Sequence, residues 1–165
     1  KLEYADKTTY SEPEIYHLID IKNPNSCKIP IENIADKAIS RVSFSIGVDS
    51  LASVSGALEG DLDPTKGMYW AWQSGYINMK LEGRSSSCKT RKNEFQFHIG
   101  GYMKPNYAMR EVVLEPKKSN FTIEINVDVA ELFSKLELSK INSVMVPGTK
   151  AMQIANYSVT MFKTE

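Results

Sequence analysis

An all-β fold, a two-layer antiparallel β-sandwich of about seven to nine strands with one or two short helices, is what the apolar pattern predicts. Three observations carry that expectation. Apolar residues alternate with polar ones through most of the chain, and turn signals such as Asn23-Pro24-Asn25, Asp63-Pro64 and Pro147-Gly148 break the runs. Helical periodicity is confined to two short stretches. Half-polar strands of this kind suit antiparallel sheets with one face toward water.

Taken in order, "EIYHLIDI" (14–21) reads as a first strand, and "IENIADKAI" (31–39) as one or two helical turns. "RVSFSIGV" puts Val42, Phe44, Ile46 and Val48 on one face and Arg41, Ser43 and Ser45 on the other. A long polar connection, 49–66, follows; such connections often carry function. "YINMKLEG" (76–83), "NEFQFHIGG" (93–101) and "MREVVLEP" (109–116) alternate again. "NFTIEINVDV" places Phe121, Ile123, Ile125 and Val127 inward and Thr122, Glu124, Asn126 and Asp128 outward. "DVAELFSKL" is the better helix, opened by Asp128 as N-cap with Leu132, Phe133 and Leu136 to bury. "YSVTMF" (157–162) closes the chain as a strand. Phe44, Ile46, Ile123, Ile125 and Val127 are the expected core.

With 165 residues the chain is expected to form a single domain, 1–165, with a substantial core. Its 20 basic and 20 acidic residues are spread without blocks, which argues against nucleic acid or an anionic membrane as partner. No run of about 18 apolar residues suggests a membrane-spanning segment. The chain opens at Lys1 without a methionine, consistent with a removed export signal. Cys27 and Cys88 are the only cysteines. In an exported protein they are expected to pair, a disulfide contributing roughly 2–4 kcal/mol; two unpaired thiols is the other reading, and spacing does not decide between them.

The catalytic inventory is thin, and an enzyme is not expected. There are two histidines, His17 and His98, with no nucleophile elbow, phosphate loop or zinc pattern. The acidic loop "EGDLDPTKG" offers Glu59, Asp61 and Asp63 as calcium ligands, although Asp before Pro is also ordinary turn chemistry. The segment "GMYWAWQSGYINMKLEG" (67–83) holds both tryptophans, Trp70 and Trp72. It reads as a hydrophobic plug, a ligand platform with Tyr69 and Tyr76 as binding residues, or part of a metal site. In "FQFHIGG", Phe95, Phe97 and Ile99 share one strand face, so His98 projects from the other. On a strand, Met68, Trp70 and Trp72 would also share a side. Thioether, imidazole and indole together suit Cu(I); the plainer reading has His98 holding a loop and the tryptophans capping one end of the sandwich.

The stretches "FSIGVDS", "GALEGDLDPTKGMYWAWQSGYINMKLEG" and "FQFHIGGY" resemble the MbnP-like family, named after the copper-binding partner protein of methanobactin systems. The resemblance runs from about Tyr16 to the C-terminal strand. It rests on Gly-Val-Asp, Asp-Pro-x-x-Gly-Met-Tyr-Trp-x-Trp, Gly-Tyr and Phe-His-x-Gly-Gly. It implies an exported, non-enzymatic β-sandwich, periplasmic or lipid-anchored at the bacterial outer membrane; a monomer is expected. In copper-binding relatives Cu(I) is held by histidines and by kynurenine, made from a tryptophan of the Trp-x-Trp segment by a di-haem cytochrome c peroxidase-like partner. Residue by residue, Trp70 and Trp72 match the aromatic pair and His98 the histidine of the His-x-Gly motif, with Met68 a further candidate ligand. Those relatives carry another histidine in the loop after the Gly-Val motif; "DSLASVSGALEG" here has none. Copper is the candidate cofactor that the resemblance implies, and the missing histidine predicts weak or absent binding in the unmodified protein. A metal-free interaction module using the Trp-x-Trp segment and the 49–66 loop is the alternative, and a sugar-binding module a third. A buried Trp70 would exclude a stacking platform at that position.

Overall fold

The computed structural model describes residues 1–13, 15–72, 75–117 and 122–164. Its described residues form ten strands and three α-helices, with four short 3-10 turns between them. Strands β1 (Leu2–Tyr4), β2 (Thr9–Tyr10), β3 (Ile39–Ile46) and β7 (Arg110–Leu114) make one antiparallel sheet in the order β2-β1-β3-β7. Strands β4 (Tyr69–Trp70), β5 (Gly75–Arg84), β6 (Glu94–Gly100) and β9 (Ser143–Val144) make the second, in which only β6–β9 is parallel. A two-stranded ribbon joins β8 (Ile125–Val127) to β10 (Phe162–Thr164). The helices α1 (Ser50–Val54), α2 (Val129–Ser134) and α3 (Thr149–Ser158) are short. The all-β, sandwich-like architecture expected from the alternation is what the chain adopts.

The largest core lies on one face of the second sheet. Phe95, Phe97 and Ile99 of β6 point into it, as alternation requires, joined by Met79 and Leu81 of β5. Helices rather than strands close it: Leu132 comes from α2, Leu136 from the turn two residues beyond its end, and Ala151, Ile154 and Ala155 from α3. The α3 residues Ala151, Ile154, Ala155 and Ser158 follow the three-and-four spacing of a buried helical stripe. Asp128 caps α2 by accepting from the Ala130 N–H at 3.1 Å, as its position predicts.

Several expectations are corrected. "YSVTMF" is not a strand: Tyr157 and Ser158 end α3, a 3-10 turn covers Val159–Met161, and extension begins only at Phe162. The helix expected over 31–39 and the strand over 14–21 are absent from the described residues there. Val127 is 51% exposed instead of buried, because β8 pairs only with β10 in a ribbon and no core cluster covers it. Phe44, Ile46, Ile123 and Ile125 are half-buried; Phe44 packs edge-on against Phe162 at 5.2 Å, and Ile123 against the Leu2–Tyr4–Ile39 cluster. Phe121 lies outside the described residues. Cys27 and Cys88 are both free: Cys27 ends an exposed turn, whereas Cys88 is packed within the main core, so the disulfide is not formed.

Truncating Phe97, which is fully buried, to alanine is expected to cost about 3–5 kcal/mol in urea unfolding. Val127→Ala is expected to change stability by less than about 0.5 kcal/mol. Equal effects at the two positions would contradict the division between core and ribbon.

Candidate functional site

The outer face of β6 carries the candidate site. Residues two apart on a strand project from the same side, so His98 and Gly100 share the face opposite Phe97 and Ile99, roughly 7 Å apart along the strand. Trp70 fills the space that a side chain at Gly100 would need. A Cβ there would meet Cζ3 and Cη2 of Trp70 at 2.7 and 2.9 Å and the Tyr76 carbonyl oxygen at 2.5 Å. Glycine is thus a condition for seating the indole. Trp70 is 6% exposed and His98 8%. The imidazole does not lie free: its Nε2 is 2.6 Å from Oε1 of Glu82. Lys80 is paired directly across from His98, and Glu82 from Gln96, so Glu82 meets the imidazole diagonally across the two strands. The Glu82 carboxyl is held below its usual range, first by this hydrogen bond and then by the nearby Lys80 and Lys22 charges.

Trp72 lies beyond β4 in a turn and is 64% exposed, its ring centroid 5.9 Å from that of Trp70. The strand expected to align Met68, Trp70 and Trp72 covers only Tyr69–Trp70, so alternation does not group these three side chains. Met68 is half-buried, and its carbonyl accepts from the Ile77 N–H at 2.8 Å. Trp70 also lines a cleft of about 100 Å³, with Gly75, Gly101, Tyr102, Lys104 and Pro147. A buried Trp70 cannot serve as a sugar-stacking platform; only Trp72 keeps a face toward solvent.

Tyr76 is a post rather than a ligand surface. It packs with Val48, Ala52 and Leu62, and Tyr69 meets it edge-on at 5.0 Å. Its hydroxyl accepts from the Leu58 N–H and donates to the Leu62 carbonyl, each at 3.0 Å, pinning the 49–66 connection. That connection is not wholly irregular, since it contains α1 and two 3-10 turns. Asp49 caps α1 through the Leu51 and Ala52 N–H groups and accepts a short hydrogen bond from the Tyr16 hydroxyl. Burial and this bond push the Tyr16 pKa up to about 12.

The calcium reading is corrected. Asp61 accepts from Lys66 Nζ at 2.5 Å and from the Leu18 N–H at 2.8 Å, which hold its carboxyl below the usual range. Asp63 caps the Thr65 N–H, and Glu59 makes no capping bond. These carboxylates are committed to turns and to a lysine, not turned toward a common cation. Among the described residues no group of three or more His, Cys, Asp or Glu is placed to hold a metal ion. His17 Nε2 lies 3.1 Å from Glu12 Oε2, and His17 acts on Asp61; these contacts place it at the acidic loop and do not join it to His98. As encoded, the donors at His98 fall short of a copper centre: one imidazole, already engaged on one nitrogen, beside an indole that is a poor ligand.

Glu82 escaped the sequence reading. Lys80 and Glu82 could be seen to share a face, but the long 85–93 connection gives no register, and the β5 bulge between Ile77 and Met79 shifts it further.

Fold and site define an antiparallel β-sandwich-like protein with an indole and an imidazole on one face of a central hairpin. A family model described as MbnP matches residues 1–146 of the 165, and the chain belongs to the MbnP family. Membership suggests a copper-related function outside the cytoplasm. No match was found among curated proteins or among solved structures. Among the described residues no helix is long and apolar enough to cross a membrane.

Two outcomes test this geometry. In a Trp72→Phe background, Gly100→Ala is expected to shift Trp70 emission to the red as the indole is displaced; unchanged emission would contradict the seating. For Tyr16, a folded-state pKa raised above the ordinary value of about 10 contributes stability that is complete below pH 10 and lost as pH rises toward 12. Unfolding free energy should fall across that window, and Tyr16→Phe should flatten the fall.

Proposed function

We propose that this chain is a non-enzymatic, extracytoplasmic copper-binding protein that holds Cu(I) through His98 once Trp70 has become kynurenine. The observation that carries the reading is the seating of the Trp70 indole on Gly100, on the same strand face as the buried His98. Ring opening would replace a poor ligand by a ketone and an arylamine, adding the donors that the encoded set lacks. Family membership supports copper as the metal. Trp72, exposed and 5.9 Å from Trp70, offers an oxidising di-haem peroxidase-like partner a point of approach. Bound Cu(I) would find in imidazole a ligand it accepts well; this chain's part is to hold His98 and the modified ring on one dry face.

A metal-free interaction module is the second reading. It is favoured by the Glu82–His98 bond, which satisfies one imidazole nitrogen without metal, and by the cleft beside Trp70. The Ser50 hydroxyl donates to the Tyr102 carbonyl at 2.6 Å, tying the 49–66 connection to the rim of that cleft.

Intact-mass analysis and Cu(I) competition titration decide between the readings, using protein expressed with and without the oxidising partner. The expected result is a mass change matching one kynurenine, lost in Trp70→Phe, with Cu(I) binding that requires both the modification and His98. Tight binding that survives His98→Ala would refute the site. No Cu(I) binding in modified protein would leave the interaction module in its place.

A further inference from the structure

We infer that Glu82 is the positioning residue of His98: by accepting from Nε2–H it fixes the imidazole in one tautomer and leaves Nδ1 as the nitrogen offered to a ligand. The inference rests on the reading of His98 as the copper ligand and adds the group that orients it.

Geometry supplies the first reason. At 2.6 Å, the Nε2···Oε1 separation is that of a charge-assisted hydrogen bond, and it closes the approach to Nε2. An ionised carboxylate can only accept, so the nitrogen facing it must carry the proton. Lys80, paired directly across from His98, and Gln96, paired across from Glu82, fix the register that brings Glu82 diagonally onto the imidazole. Among the described residues Nδ1 makes no hydrogen bond.

Burial supplies the second reason. The imidazole side chain is 11% exposed, whereas that of Glu82 is 47% exposed. A ring so enclosed cannot turn over to present Nε2 instead without displacing its neighbours. The orienting group sits at the surface, where it can be changed without opening the core. A site with a single imidazole depends on the direction of that imidazole more than a two-histidine site does. Carboxylate partners of this kind commonly change metal affinity by about 10–100-fold.

Two-bond 1H–15N correlation spectra of the metal-free protein read the tautomer directly. Wild type is expected to show His98 protonated at Nε2 and bare at Nδ1. Glu82→Gln, whose amide oxygen still accepts, is expected to keep that form, and Glu82→Ala to give a mixture. A ring protonated at Nδ1 in wild type, or a single Nε2–H tautomer persisting in Glu82→Ala, would overturn the assignment. In protein carrying the modified tryptophan, Cu(I) affinity should fall about 10–100-fold in Glu82→Ala and recover in Glu82→Gln. Equal affinity in wild type and Glu82→Ala would overturn the positioning role. No Cu(I) binding by wild type, with the tautomer as expected, would instead overturn the copper reading of His98 and support the assignment of Glu82 to its orientation.

Discussion

The antiparallel pairing of β5 with β6 is the constraint on which the rest of the molecule depends. Its register sends Phe95, Phe97, Ile99, Met79 and Leu81 to one side, where α2 and α3 close over them. The same register sends His98, Gly100, Lys80 and Glu82 to the other. A slip of one residue would exchange the two sets and place a histidine and two charged groups in an apolar core. Burial of the phenylalanines therefore fixes the direction of the histidine. The core contributes to function by making only one orientation of the site affordable in free energy.

The edge of this hairpin is held by fewer contacts of higher specificity. Trp70 belongs to a strand of two residues, paired to Gly75, and its ring depends on the absence of a side chain at Gly100. Tyr76, one residue along β5 from Gly75, grips the 49–66 connection through two backbone groups. Tyr16 and Asp49 secure the start of the same connection. The connection where copper-binding relatives are expected to place a second histidine is thus anchored by aromatic hydroxyls and capped turns. Asp61 and Asp63 serve those turns and Lys66, which is why the calcium pattern in the sequence gathers no cation site among the described residues.

Legibility in the sequence followed the range of the interaction. Alternation is local, and it gave β3, β5, β6 and β7 along with the outward projection of His98. Capping is local as well, so Asp128 and the Asn23-Pro24 and Asp63-Pro64 turns were readable. The last third of the chain was harder. "YSVTMF" alternates over six residues, yet Ala151, Ile154, Ala155 and Ser158 form a longer helical stripe that overrides it once the β6 face needs covering. Ile125 and Val127 alternate like core residues but lie in a two-stranded ribbon outside both sheets, and exposure there is set by what packs on it rather than by the strand itself. The Glu82–His98 contact required a cross-strand register, which no residue in the 85–93 connection specifies.

The family and the geometry bear on one another at a single point, the shared face of Trp70 and His98. Nuclear Overhauser contacts from the Trp70 six-membered ring measure that point most directly. Strong contacts to the Gly100 α-protons, with none to the Phe97 or Ile99 side chains, are the result this arrangement predicts. Contacts from Trp70 into the Phe97–Ile99 core, or none to Gly100, would contradict it.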